Sequence, residues 1–148
     1  MSALAFTGVT AAEIDALWPR LAAHFASIAA RSRGRFAPRD WRRAFRDRSR
    51  QLWVAHAPTG AGIGEVRAVL ATELRRYPGR RVAALVACAG SGREDWTGFL
   101  PLVEAWARAE GCAAVEAEAR PGWRRVLGPH GYAATHVILE KELDHAGR

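Results

Sequence analysis

The chain is poor in cysteine, and this shortage excludes two classes of protein. Its 148 residues include two cysteines, Cys88 and Cys112, which are too few for a disulfide-stapled fold. No four Cys or His residues have the spacing of zinc ligands, so we expect no metal site. Both cysteines lie in apolar stretches, which predicts reduced and buried thiols.

A long apolar run and a secretory leader are missing as well. The longest uncharged run, residues 51–64, has 14 residues and contains Pro58. A membrane-spanning helix needs about 20 predominantly apolar residues. The first 15 residues contain no basic residue ahead of an apolar segment, as a signal peptide would. The sequence therefore predicts a cytoplasmic protein without a membrane segment.

Lysine is almost absent, whereas arginine is abundant and concentrated in one stretch. There are 21 Arg and one Lys, and the net charge is +7. Residues 31–50 contain nine Arg and two Asp, a surplus equal to that of the whole chain. Such a face binds polyanions, an acidic protein or only counterions. We therefore expect either a polyanion or protein partner through Arg31–Arg50 or a solvated surface. No helix-turn-helix or zinc-finger pattern points to sequence-specific DNA binding.

The rest of the sequence has an ordinary globular composition, 49% hydrophobic and 25% charged. This composition predicts a single domain over 1–148 with a frayed tail at 143–148.

Apolar residues at helical spacing predict four helices. The first follows a capping box at Thr10 and Glu13, and Pro19 either kinks it or starts a second one. The others cover residues 38–50, 94–110 (bent or restarted at Pro101) and 121–127.

Strand patterns alternate with these helices. Three apolar runs joined by short turns predict an antiparallel meander at residues 51–56, 65–74 and 81–89. Further strands are predicted at residues 3–7, at 114–119 and, as one strand or a bent pair, at 132–143.

This order of elements resembles the GCN5-related N-acetyltransferase fold across residues 3–143. The motifs Arg120-Pro-Gly-Trp123 and Gly131-Tyr132, with the stretch Leu139–Leu143, are similar to small acetyltransferase-like proteins of bacteriophages and prophages. The resemblance implies an α+β fold, in which a mixed, mostly antiparallel sheet carries helices on both faces.

The resemblance also implies an acetyl-CoA site where the fourth strand meets the next helix. The family motif there is Gln/Arg-x-x-Gly-x-Gly/Ala, whose backbone amides bind pyrophosphate. Its two glycines match Gly90 and Gly92, but Ala87 stands at the Gln/Arg position, and Glu94 and Asp95 place opposing charge in the first helical turn. The cofactor-binding residues implied are Cys88, Ala89, Gly90, Ser91, Gly92 and Arg93.

Acid–base residues are less well marked. Many relatives carry a tyrosine four residues before the Gly-aromatic pair, as the acid for the departing thiolate, but this chain has Leu127 there. Glu73 is the candidate catalytic base, on a strand that faces the expected cleft, with Glu65 and His56 as alternatives.

Two functions follow from this resemblance. One is transfer of an acetyl group from acetyl-CoA to a small-molecule or protein amine by direct attack. The other is a non-catalytic binding or virion-associated module with a degenerate acetyl-CoA site, located in the phage particle. Pairing of residues 87–89 with residues 115–117 would leave no slot for the pantetheine arm. Trp123 is expected to pack against the core, with substrate stacking as the alternative.

Overall fold

The computed structural model describes residues 3–91 and 96–144. The strands are β1 (Ala5–Val9), β2 (Gln51–His56), β3 (Val66–Arg76), β4 (Arg81–Gly90) and β5 (Ala114–Ala117). The α-helices among these residues are α1 (Ile14–Ala30), α2 (Pro38–Asp47), α3 (Leu100–Ala109) and α4 (Trp123–Leu127). Within the same ranges, no helix combines the length and apolar character needed to cross a bilayer.

The five strands form one mixed sheet in the order β1-β2-β3-β4-β5. The first four pair antiparallel, and β4 pairs parallel with β5. The predicted meander of β2, β3 and β4 is confirmed, since Tyr77 and Arg80 close the β3–β4 turn through reciprocal backbone hydrogen bonds.

Helices cover both faces of this sheet, as predicted, and the residues that they bury form two separate cores. On one face α1 and α2 bury Phe25, Trp41 and Phe45 against the sheet. On the other face α3 and α4 bury Leu100 and Leu127. The helices lie on opposite faces because the apolar side chains of a strand alternate between its two sides.

Pro19 and Pro101, the two prolines within predicted helices, have different effects on those helices. The capping box forms, with the Thr10 N–H donating to Glu13 Oε1 at 3.0 Å, and α1 then continues through Pro19 as one helix. Pro101 lies in the first turn of α3 and follows a 3₁₀ turn at Thr97–Phe99, so the helix restarts there.

The predicted last strand is the main correction. Residues 132–144 form no strand and no ladder with any other described residue, and Val137, Leu139 and Leu143 are exposed. A segment with alternating apolar residues forms a strand only when a neighbouring strand pairs with it. This segment instead contacts the loop after α1, where Arg33 donates a hydrogen bond to Glu140. Residues 145–148 of the predicted tail lie outside the described residues.

Candidate active site

A slot opens between β4 and β5. The parallel ladder runs from Val82 opposite Ala114 to Leu85 opposite Ala117, and ends where the Glu118 N–H donates to the Leu85 carbonyl at 2.9 Å. Residues 86–90 continue β4 without a β5 partner in the described ranges. Burial changes at the same point, because residues 82–85 are buried and 86–89 are half-buried. The two strands therefore separate at the end nearer Gly90.

A β-bulge marks the point of separation. In the β3–β4 ladder Ala71 lies opposite Ala87 and Thr72 opposite Leu85, so Val86 is the extra residue of β4. A bulge bends its strand and increases the local twist. The bend in β4 thus coincides with the last residue that pairs with β5.

The open end of the slot is lined by two arginines from distant parts of the chain. A cavity of about 270 Å³ there is bordered by β4 residues Cys88, Ala89 and Gly90. Arg31, at the end of α1, and Arg120, between β5 and α4, line the same cavity. It is therefore a cationic pocket beside an unpaired strand edge.

Of the six residues assigned to cofactor binding, Cys88, Ala89 and Gly90 border this cavity, and Ser91 follows them with its N–H donating to the Arg67 carbonyl at 3.1 Å. Gly92 and Arg93 lie outside the described residues, as do Glu94 and Asp95. Cys88 and Cys112 are half-buried rather than buried, and neither forms a disulfide. The predicted burial is wrong for Cys88 because β4 is uncovered where the slot opens.

Gly90 has a structural reason to be glycine. Its φ is +127°, and a Cβ built on it would lie 2.3 Å from the Arg67 carbonyl oxygen and 2.5 Å from Ala68 Cα. The end of β4 therefore approaches β3 more closely than any side chain permits.

Replacing Gly90 by alanine is expected to lower the free energy of unfolding by about 1–3 kcal/mol, through backbone strain and the clash with β3. Urea unfolding measures the change. Gly122→Ala is the matched control, because Gly122 has φ −59° and open space around a built Cβ. An equal loss in both variants would contradict a special role for Gly90.

Glu73 lies next to the closed end of the slot. It is opposite Ala84 of β4, and Ala84 is opposite Glu116 of β5, so the two carboxylates flank Ala84 on one face of the sheet. This row precedes Leu85, the last β4 residue that pairs with β5. Glu73 is thus one strand away from the point where β4 and β5 separate.

Arginines hold this acidic row in place. Arg75 Nε donates to Glu73 Oε2 at 2.9 Å and Arg75 Nη1 to Glu116 Oε1 at 3.2 Å, while Arg50 Nε lies 3.4 Å from Glu73 Oε1. Burial lowers the pKa of Arg75, but its hydrogen bonds to Glu73 and Glu118 outweigh burial and raise the pKa above its usual range. Arg75 therefore stays cationic and fixes the position of both carboxylates.

The alternative bases have other environments. His56 is buried, with Nε2 2.8 Å from Thr7 Oγ1, and its Nδ1 accepts the Gly64 N–H at 3.0 Å. Both ring nitrogens therefore have structural partners. Glu65 is exposed and lies 3.4 Å from Arg67.

The C-terminal motif packs the short helix α4 onto the sheet. Leu127 is buried, and the ring of half-buried Trp123 lies 5.7 Å from that of Trp96, so Trp123 packs against the core and also lines the cationic pocket. The pKa of Tyr132 is raised above its usual range, mainly because the side chain is partly buried and also because its hydroxyl donates a 2.8 Å hydrogen bond to Glu104. Leu127 offers no proton to a leaving group.

Several arginines of residues 31–50 have partners within the chain. Arg42 pairs with Asp15 (Nη2–Oδ1 2.9 Å), and Arg50 stacks over the Trp41 ring at 4.5 Å. Arg31 turns to the slot instead. A polyanion partner for this stretch stays a prediction. Fewer of its guanidinium groups are available to such a partner than the sequence alone suggested.

A larger cavity of about 380 Å³ lies at the far side of the sheet, lined by residues such as Gly8, Arg48 and Trp106. There β1 and β2 pair without a break from Ala5 to Val9, so these two strands do not separate as β4 and β5 do. Within the described ranges, no three His, Cys, Asp or Glu residues group as metal ligands. We therefore assign the candidate site to the slot between β4 and β5.

Arg31 and Arg120 were missed by the sequence analysis. Arg31 directly follows α1 in an arginine-rich stretch, and Arg120 begins the Arg-Pro-Gly motif between β5 and α4. The two arginines are 89 positions apart in the chain, and nothing in the sequence around either one shows that they line the same pocket.

The fold agrees with solved acetyltransferases at low sequence identity. Aminoglycoside N-acetyltransferase AAC(6′)-Iy in complex with CoA has 12% identity and a TM-score of 0.70, over 97% of this chain and 96% of that one. The ribosomal-protein-alanine N-acetyltransferase of Brucella melitensis biovar Abortus has 12% identity and a TM-score of 0.69, over 96% and 100%. A GNAT family acetyltransferase of Staphylococcus aureus has 11% identity and a TM-score of 0.63, over 97% and 100%.

No protein-family model matches the sequence, and no curated protein is similar to it. The likeness is therefore one of architecture, and it covers nearly the whole chain on both sides of each comparison. The chain has the fold of the GCN5-related N-acetyltransferases.

Proposed function

We propose that the protein transfers an acetyl group from acetyl-CoA to an amine. The observation that carries this proposal is the slot, where β4 continues from residue 86 to 90 without β5 and two arginines line its open end. Bound acetyl-CoA would supply an activated acetyl thioester. The solved relative that contains CoA supports the choice of this co-substrate.

The residues present fit a long, anionic ligand with an amide-containing arm. Arg31 and Arg120 would hold the pyrophosphate through charge-assisted hydrogen bonds, together with the backbone at Gly90 and with Gly92 and Arg93. The open edge of β4 at residues 86–89 would hold the pantetheine amides as a neighbouring strand does. A cavity of about 270 Å³ is small for a whole cofactor and suits its phosphate portion.

The closed end of the slot then becomes the reacting end. A ligand that enters beside Gly90 and follows β4 ends near Leu85, next to the row that Glu73 and Glu116 form. Glu73 would take the proton of the attacking amine. With Leu127 in the place of a hydroxyl donor, solvent would protonate the departing thiolate.

The acceptor we propose is a primary amine on a small molecule or a protein. Solved structures of the same fold include an aminoglycoside acetyltransferase in complex with sisomicin and a ribosomal-protein-alanine N-acetyltransferase. A carboxylate row at the reacting end suits a cationic amine of either kind.

One observation favours a second candidate, a non-catalytic cytoplasmic or virion-associated module of phage type. Leu127 and Ala87 both lack the polar groups that the family motifs carry there. Such a module needs no open slot, so acetyl-CoA binding separates the two candidates.

The direct test combines calorimetry with acetyl-CoA and alkylation of the two cysteines. We expect binding, and we expect saturating acetyl-CoA to slow alkylation of Cys88 about tenfold or more, because Cys88 lines the occupied pocket. Cys112 is the internal control, since it is equally half-buried but lies outside the pocket lining. Mass spectrometry of the digested protein gives both rates.

Absence of calorimetric binding would remove the acetyltransferase proposal and leave the module. Binding that protects both cysteines equally, or neither, would place acetyl-CoA outside the slot.

A further inference from the structure

Arg50 is a half-buried arginine beside the candidate base Glu73. It directly precedes β2, and the next residue, Gln51, pairs with Thr72 of β3, so Arg50 lies opposite Glu73. Arg50 Nε is 3.4 Å from Glu73 Oε1, and only 16% of the Arg50 side chain is exposed. An arginine at this depth needs partners for its charge, so what surrounds Arg50 decides what it can bind.

Two aromatic rings hold the Arg50 guanidinium in one orientation. Its Cζ lies 4.6 Å from the ring centroid of Phe36 and 4.5 Å from that of Trp41. Both rings are fixed, since Trp41 is buried and the Phe36 N–H donates to Ser32 Oγ at 3.1 Å. A guanidinium against aromatic faces is weakly hydrated and pre-organised, so it loses little freedom when it binds an anion.

The chain satisfies only part of this guanidinium. Its ion pair with Glu73 uses Nε, which is buried and has no hydrogen-bond partner among the described residues. Glu73 is also shared, because Arg75 Nε donates to its other oxygen, Oε2, at 2.9 Å. A guanidinium has five N–H donors, four of them on Nη1 and Nη2. Those of Arg50 form no ion pair in the described part of the chain and are left for an anion from outside it.

The groups follow one another in a line across the sheet. The slot lies between β4 and β5, Glu73 is on β3, and Arg50 is at the start of β2. Neighbouring strands are about 4.8 Å apart. A small acceptor whose amine is held at Glu73 therefore has Arg50 on its side away from the slot.

From this geometry we propose that the acceptor is an α-amino acid, whose carboxylate binds Arg50 while its amine lies at Glu73; this inference rests on the proposed acetyl transfer. Arg50 and Glu73 are in contact, so the anionic and amine groups of the acceptor must also be close together, as they are when one carbon joins them. The planar fork of an arginine matches a carboxylate through two parallel hydrogen bonds.

The reaction then balances with the groups present and acetyl-CoA. The ammonium group of the amino acid gives one proton to Glu73, and the free amine forms a bond to the acetyl carbonyl carbon as the bond from that carbon to sulfur breaks. The second proton lost by the nitrogen reaches the departing thiolate through solvent. The products are an N-acetylamino acid and CoA, and Arg50 is a specificity residue that takes up no proton.

The test compares each standard L-amino acid with its own carboxamide as acceptors for the full-length protein. The carboxamide keeps the size and the amine but lacks the charge. We expect the wild type to have a kcat/KM about 100-fold higher for the best amino acid than for its amide, because two charge-assisted hydrogen bonds contribute roughly tenfold each.

Variants of Arg50 separate carboxylate binding from a structural role. Arg50→Gln should bring the preference for the acid close to one, mainly by raising KM for the acid. Arg50→Lys keeps the cation beside Glu73 but not the fork, so it should keep about tenfold preference and change kcat/KM for the amide less than about threefold. Arg39→Gln, on the exposed surface of α2, is the control and should keep the full preference. Circular dichroism checks that each variant keeps its helices.

Equal rates for acid and amide in the wild type would overturn the proposal, and so would an equal loss for both acceptors in Arg50→Gln and in Arg50→Lys. Transfer to an aminoglycoside or to a peptide but to no amino acid would overturn it and leave the acetyl transfer standing. Transfer to none of these acceptors, or no calorimetric binding of acetyl-CoA, would remove both.

Discussion

Replacing Arg31 and Arg120 together by glutamine is expected to weaken acetyl-CoA binding about 100-fold. Both guanidinium groups line the open end of the slot beside Gly90, where the phosphates are proposed to bind. A hydrogen bond to a charged group contributes about 1.5 kcal/mol at the lower end of its range, which suits solvent-facing residues, and corresponds to roughly tenfold in affinity for each arginine. Calorimetry on the wild type and the double variant gives the ratio.

A matched control separates local contact from overall charge. Arg39→Gln/Arg43→Gln removes the same charge from the exposed surface of α2, outside the pocket lining, and should change affinity less than about threefold at physiological salt, because exposed charges are screened beyond about 8 Å. Equal losses in the two double variants would show that only net charge matters. An unchanged affinity in Arg31→Gln/Arg120→Gln would move the phosphates elsewhere.

Elements with strong local signals were predicted well. β2 has the predicted bounds, residues 51–56, because its apolar run is closed by a helix end on one side and by Pro58 on the other. The capping box at Thr10 and the turn at Tyr77 formed for the same reason. Hydrogen bonds between residues three or four positions apart are encoded in the local sequence, so reading that sequence is enough to predict them.

The sequence predicted where the slot lies, at the end of β4, but it did not predict the shape of the slot. Gly90 marked the end of β4, yet the bulge at Val86 depends on how β3 and β4 align over their whole length. The single apolar run of β4 gives no sign that its second half loses a neighbour. Arg31 and Arg120 meet at the pocket only because α1 and the β5–α4 loop end at the same edge of the sheet.

The predicted strand in the final segment was wrong for a different reason. The sequence has the alternation of a strand, but no other strand pairs with it in the described part of the chain. Residues 135–143 alternate as a strand should, and nothing in the described part of the chain pairs with them. Periodicity reports which face of a strand is apolar, but whether a neighbouring strand belongs to the same chain is a property of the assembly.

Glu73→Gln is expected to lower the turnover of acetyl transfer about 100-fold or more, within the range for loss of a general base, while acetyl-CoA affinity stays unchanged. Glu73 is adjacent to the closed end of the slot through Ala84, and Arg75 fixes its orientation. Glutamine keeps the size of the side chain and can still accept the Arg75 hydrogen bond, but it takes up no proton. Release of the CoA thiol measures turnover, with an aminoglycoside and a peptide that begins with alanine as the two acceptor probes.

Glu116→Gln is the matched control for this prediction. It removes a second carboxylate from the same row and another partner of Arg75, so it perturbs the ion pairs as Glu73→Gln does. Because Glu116 lies on β5 and its Oε1 accepts hydrogen bonds from both the Tyr77 hydroxyl, at 2.9 Å, and Arg75, turnover should fall less than about fivefold. A larger loss in Glu116→Gln than in Glu73→Gln would transfer the base to Glu116. An unchanged turnover in Glu73→Gln would leave that carboxylate with a purely structural role, as the link between Arg50 and Arg75.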